Sequence, residues 1–144
     1  FVSGGDSRLK VWDASEPTEC VLAVDLRAPV LAGALSRGPR PLAAAALGND
    51  TLRLVDLRMG RAVSTMQGHT SAPLCVTWDP SDAQRLFSGG TDGTIRAWDS
   101  RMGARSLFLF DPYANEKDCP ALKKVDHSKE GPAKRKGSFG ASRR

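Results

Sequence analysis

Residues 87–99 read Phe87-Ser88-Gly89-Gly90-Thr91-Asp92-Gly93-Thr94-Ile95-Arg96-Ala97-Trp98-Asp99, and this stretch decides the fold. A short strand enters a Gly/Asp turn, and an alternating run leaves it and stops at Trp-Asp, the pattern of a β-hairpin. Residues 1–13 repeat the phrase as Phe1-Val2-Ser3-Gly4-Gly5-Asp6-Ser7-Arg8-Leu9-Lys10-Val11-Trp12-Asp13, with a turn one residue shorter when Ser3 is set against Ser88.

Working outward, Trp12-Asp13, Val55-Asp56 and Trp98-Asp99 are each separated by 43 residues. Lys10, Arg53 and Arg96 stand two places before the Trp/Val position, and Leu9, Leu52 and Ile95 three places before it. The middle copy, residues 44–56, keeps the pattern with weaker residues. Leu74, Val76 and Trp78 alternate with Cys75 and Thr77 up to the breaker Asp79-Pro80, which predicts a half-buried strand. A further strand is predicted from Ala104 to Phe110, after the turn Arg101-Met102-Gly103.

Four antiparallel strands every 40 to 45 residues is the unit of a β-propeller. The expected fold is therefore all-β, with a partial blade at 1–27, a degenerate blade at 28–67 and a well-formed blade at 68–110. A propeller needs four or more blades to close, so about two and a half blades are expected to be a piece that begins mid-structure. Beyond Asp111 the composition changes to recurrent Pro, charge runs and scattered apolar residues, and 111–144 reads as a disordered basic linker or insertion.

Composition narrows the function classes. Hydrophobic residues make up 40% and charged residues 26% of 144, close to globular averages. No apolar run approaches the ~18 residues of a membrane helix, and the first residues show no signal-peptide pattern. Three cysteines without CxxC spacing indicate neither a disulfide framework nor a zinc site, and no cofactor is expected. The net charge of +5 belongs to the tail, because residues 1–110 hold 12 Lys/Arg against 11 Asp/Glu, whereas residues 111–144 hold 9 against 5.

Gly68-His69 before the strand at Leu74 and Trp98-Asp99 after the hairpin resemble the WD-repeat propeller family. That resemblance implies one hydrogen-bonded chain through His69, Asp92, Ser88 and Trp98. The chemistry suits those residue types: a carboxylate accepts from one imidazole nitrogen, and a hydroxyl bridges the other to the indole N–H. A Ser-His-Asp triad would need an exposed nucleophile and an oxyanion hole, so the constellation reads as a buried strut with no catalytic residue. Residues 88–94 lack both the GxGxxG spacing and the Gly-Lys-Ser/Thr ending of a phosphate loop. The middle unit has Val55 for Trp, Asn49 in the turn and no Gly-His, so its strut cannot form and packing must replace it.

The order of a Trp-less unit, a well-formed unit and a long polar insertion resembles the Cockayne syndrome group A type of WD-repeat protein. So do Val55-Asp56-Leu57-Arg58-Met59-Gly60 and Trp98-Asp99-Ser100-Arg101. The resemblance implies a nuclear substrate receptor of a cullin-4 ubiquitin ligase acting in transcription-coupled nucleotide excision repair, whose adaptor-binding helical segment would lie upstream of Phe1. Its partners would be the ligase adaptor and a ubiquitination substrate, with Arg58 and Arg101 as adaptor contacts of the WDxR kind; an ordinary exposed Arg at a strand end is the plainer alternative. A scaffold for chromatin or RNA-processing assemblies is the competing reading. Lys134-Arg135-Lys136, with Lys123-Lys124 upstream and Arg143-Arg144 downstream, resembles a loosely spaced bipartite nuclear import signal, against the alternative of a solvated basic linker. Direct nucleic-acid binding is not expected, since only Tyr113 and Phe139 in that tail could stack bases.

Overall fold

In the computed structural model, which describes residues 2–16, 18–112 and 123–124, the described residues form strands and turns and no helix. The first sheet contains β1 (Val2–Ser3), β2 (Arg8–Trp12) and β3 (Cys20–Asp25). The second contains β4 (Val30–Leu35), β5 (Leu42–Leu47), β6 (Thr51–Asp56) and β7 (Arg61–Gln67). The third contains β8 (Pro73–Trp78), β9 (Arg85–Gly90), β10 (Ile95–Asp99) and β11 (Phe108–Phe110), with β12 (Lys123–Lys124) added beside β11. Each sheet is an antiparallel meander whose strands pair in chain order. Together they are neighbouring blades of a partial β-propeller.

The sheets stack face to face, and β5 shows why the stack holds. Its sequence, Leu-Ala-Ala-Ala-Ala-Leu, has little strand propensity, yet all six residues are buried. Ala43, Ala45 and Leu47 face a core shared with Leu9 and Val24 of the first sheet and Leu26 of the connection that follows it. Leu42, Ala44 and Ala46 face a core shared with Trp78, Leu86 and Trp98 of the third. A strand sandwiched on both faces needs small side chains where sheets press together, and burial overrides the helical preference of an alanine run.

Two local expectations change. The alternation puts Leu74 on the face of Val76 and Trp78, but Leu74 is 56% exposed. The register slips between Pro73 and Cys75, so a β-bulge at Leu74 turns its side chain out. The equivalent residue 43 positions earlier, Leu31, sits at the corresponding slip between Val30 and Ala32 and is exposed too. The strand predicted from Ala104 shrinks to Phe108–Phe110. Gly103 at φ 81 ends the turn, the Gln67 N–H donates to the Ala104 carbonyl, and buried Ser106 accepts from Arg96, so the segment is held by cross-bonds rather than a ladder. Within the expected linker 111–144, Lys123 pairs with Leu109 and Lys124 with Phe108.

Candidate functional site

At the end of β7 the chain passes through Gly68, where a Cβ would lie 2.6 Å from Arg96 Nη1 and 3.2 Å from the Trp98 ring. Glycine therefore lets the next residue, His69, drop into the space between the second and third sheets. The Trp98 indole N–H donates to Ser88 Oγ at 2.8 Å, and Ser88 Oγ lies 2.7 Å from His69 Nε2. His69 Nδ1 lies 2.9 Å from Asp92 Oδ2. Because the indole can only donate, Ser88 uses its own proton toward Nε2, and this assigns the N–H of the imidazole to Nδ1, pointing at the carboxylate.

Asp92 anchors the far end. Its Oδ2 also accepts the Thr70 N–H at 3.0 Å, and Oδ1 accepts the Thr94 N–H and hydroxyl at 3.1 and 2.8 Å. Burial pushes this carboxyl up, but the hydrogen bonds from His69, Thr70 and Thr94 together outweigh burial and hold it down at about 2. The His69 side chain is fully enclosed and that of Asp92 is 4% exposed. Ser88 is 2% exposed with its oxygen engaged on both sides, so its hydroxyl does not face solvent.

In the second sheet the positions 43 residues earlier hold Leu26, Ala45, Asn49 and Val55. Leu26, Ala45 and Val55 are fully buried in one apolar core, taking the places of His69, Ser88 and Trp98. Asn49 keeps only the local part of the Asp92 role, its side-chain oxygen accepting the Thr51 hydroxyl at 2.7 Å. In the first sheet, Trp12 donates to Ser3 Oγ at 2.8 Å. A cavity of about 330 Å³ beside them is lined by Ser3, Asp6 and Trp12.

Arg58 and Arg101 lie at the opposite end of the sheets, in the turns after β6 and β10. Asp56 Oδ1 accepts the Arg58 N–H at 2.9 Å, and Asp99 Oδ1 accepts the Arg101 N–H at 2.8 Å, which fixes both turns alike. The Arg101 guanidinium folds back onto its own turn. Its Nε and Nη2 bond Asp99 Oδ1 and Oδ2 at 3.0 and 2.7 Å. Arg101 beside Asp99 holds that carboxyl below its usual range, and Asp99 raises Arg101. The Arg58 side chain is exposed and makes no hydrogen bond or ion pair among the described residues. Each arginine precedes an exposed methionine, Met59 at 55% and Met102 at 69%. Lys134, Arg135 and Lys136 lie outside the described residues.

Sequence reasoning passed over Arg96 as a site residue. Its guanidinium is buried and donates to Ser106 Oγ at 3.1 Å. The signal was present: a cation at this place in all three copies, Lys10, Arg53 and Arg96. Among the described residues no group of three His, Cys, Asp or Glu side chains could hold a metal ion, and no helix is long and apolar enough to cross a membrane.

Residues 60–99 match the family described as WD domain, G-beta repeat. The chain is 34% identical over 104 residues to Protein groucho of Drosophila melanogaster, covering 72% of this chain and 14% of that protein. It is 34% identical over 104 residues to WD repeat-containing protein ATCSA-1 of Arabidopsis thaliana, covering 70% and 23%. It is 35% identical over 105 residues to Transducin-like enhancer protein 2 of Mus musculus, covering 72% and 13%. The chain thus carries a WD40 repeat, its relatives are WD-repeat proteins, and it spans less than a quarter of their lengths.

Proposed function

We propose that this chain is a non-catalytic interaction scaffold and, in its most specific form, part of a nuclear substrate receptor of a cullin-4 type ubiquitin ligase acting in transcription-coupled nucleotide excision repair. The general form is supported by the WD40 repeat and by a Ser-His-Asp constellation closed to solvent. The specific form rests on the likeness of residues 55–60 and 98–101 to the Cockayne syndrome group A type, beside the match to ATCSA-1. The observation that carries it is the rim: Asp56-Leu57-Arg58-Met59 and Asp99-Ser100-Arg101-Met102 are one turn repeated on neighbouring sheets, each with an exposed arginine and an exposed methionine, the first offering its cation and the second holding it on Asp99. A ligase adaptor with carboxylate and apolar groups fits that surface.

The test is co-purification of the adaptor with the full-length protein. Arg58→Asp should weaken recovery while leaving the melting temperature within about a degree or two, as surface changes do. Arg101→Asp also sets a second carboxylate against Asp99, so it should weaken recovery and lower stability slightly. Undiminished recovery from the double variant would return both residues to ordinary surface.

A second reading is a scaffold for chromatin or RNA-processing assemblies. In its favour, Transducin-like enhancer protein 2 and Protein groucho match at identities no lower than ATCSA-1 does. If the basic tail then bound nucleic acid, binding should fall steeply between low and physiological salt, whereas docking through a packed rim should not.

A further inference from the structure

Where the second and third sheets meet, at the end that carries Arg58 and Arg101, a cavity of about 320 Å³ opens between the last residues of β4 and β8. Leu35 and Trp78 close those strands 43 residues apart, and beyond them the chain leaves through the β4–β5 and β8–β9 loops. The two loops press together at Gly38, where a Cβ would lie 2.7 Å from Ala83 Cβ. That contact braces one side of the opening and leaves the other to Leu35, Arg37, Thr77, Trp78, Asp79 and Pro80.

The polar groups there are not equally available. The Trp78 indole N–H donates to the Ala34 carbonyl at 3.1 Å, so the ring is fixed and offers an apolar surface. Asp79 Oδ1 accepts the Ser81 N–H and hydroxyl at 2.8 and 2.6 Å, and Oδ2 lies 3.7 Å from Arg85 Nη1. Arg37 is exposed and has no hydrogen bond or ion pair to its guanidinium among the described residues. The uncompensated charge of the cavity is therefore positive, set beside apolar walls from Leu35, Trp78 and Pro80.

Ligand sites run from about 300 to 1,000 Å³, so this one has room for a single anchoring side chain. We propose that the cavity docks a short acidic segment of a partner protein, whose apolar side chain seats against Trp78, Leu35 and Pro80 while a neighbouring carboxylate takes the fork of Arg37. A planar guanidinium matches a carboxylate in two parallel bonds. A nucleic-acid backbone suits the place less well: Asp79 and Asp82 stand beside it, each within ion-pair range of Arg85, and a polyanion would meet their charge. One carboxylate aimed at Arg37 avoids them. The site is separate from Arg58 and Arg101, so either assignment can fail while the other stands.

The experiment is fluorescence anisotropy of the full-length protein with a labelled pentapeptide, a central Phe with a single neighbouring Glu and otherwise Gly. Replacing the Glu with Lys, or the Phe with Ala, should weaken binding at least tenfold. In the protein, Arg37→Glu should weaken the acidic peptide at least tenfold, and Thr77→Phe, which fills the cavity from an exposed wall position, should do the same. Adaptor recovery should be untouched by Arg37→Glu, and thermal melts of both variants should match the parent. Equal affinity for acidic and basic peptides, no binding of the acidic peptide, or indifference to both variants would overturn the proposal. So would tighter binding of a thymidine oligonucleotide that Arg37→Glu abolishes.

Discussion

Ser88→Ala in the full-length protein tests the strut most directly, because the hydroxyl serves the indole and the imidazole at once. Removing it strands the Trp98 N–H and His69 Nε2, both enclosed between the second and third sheets. Each orphaned buried group costs about 1–3 kcal/mol, so the substitution should cost about 2–6 kcal/mol. Trp98→Phe removes the donor instead and leaves a gap where the larger ring was. The double variant is the informative one, since with no indole N–H left the lost hydroxyl strands one group fewer. The two costs should fall short of adding, by about 1–3 kcal/mol, as for residues sharing one bond. Urea melts followed by tryptophan fluorescence would give the four values, with the slope against urea checked for constancy across variants. Additivity to within about 0.5 kcal/mol would mean that the shared bond does not carry the strut. A Ser88→Ala protein of unchanged stability that lost partner binding would argue instead for a functional hydroxyl.

Acid titration probes the other end of the strut. The folded-state value of Asp92, about 2, lies below the ordinary 3.8, so its stabilisation is fully present above pH 3.8 and is lost as pH falls through about 2. The loss should be roughly 2 kcal/mol at about 1.36 kcal/mol per pKa unit. Stability profiles of the parent and Asp92→Asn should therefore converge between pH 5 and pH 2; parallel profiles would remove Asp92 from the account. Gly90→Ala places a Cβ 2.8 Å from His69 Nδ1 and 3.0 Å from Asp92 Oδ1. It should cost about 1–3 kcal/mol as overpacking does, and a neutral melt would show that the imidazole can move aside. The 144-residue chain studied alone should self-associate, because Leu74, Ile95, Met102 and Val21 are exposed alongside open strand edges. Sedimentation of a single monomeric species at tens of micromolar would refute this.

The repeat was legible because its marks are local: a Gly/Asp turn, a Trp-Asp strand end and a fixed spacing of 43. What escaped the sequence depends on contacts between repeats. Leu74 follows the alternation on paper, yet the bulge that exposes it is set by pairing with β9. Arg101 looks like a free cation at a strand end, and only the fold of its turn brings the fork onto Asp99 two residues back. The cavity beside Arg37 has no motif at all, since its walls come from two strand ends, and the loops that follow them, 43 residues apart in the chain. For the same reason the alanine run of β5 gives no strand signal by itself. It is a strand because sheets cover both its faces.

The second and third sheets solve one packing problem in two ways. A strand must be held where the connection between sheets crosses it, and the space can be filled either by a satisfied polar chain or by apolar groups. His69, Ser88 and Trp98 take the first course, while Leu26, Ala45 and Val55, each 43 residues earlier, take the second. Physically the two are close in cost when changed together, because the desolvation penalty and the hydrogen bonds disappear at the same time; changing one member alone leaves the others stranded. That accounts for three positions differing at once between adjacent sheets rather than singly. It also explains why Asn49 can stand for Asp92: with no imidazole to receive, only the bond to the neighbouring Thr remains to be made, and a neutral side-chain oxygen makes it. The Ser-His-Asp arrangement is thus interchangeable with an oil-like core in the adjacent sheet of the same molecule. Such interchangeability is what a packing element requires.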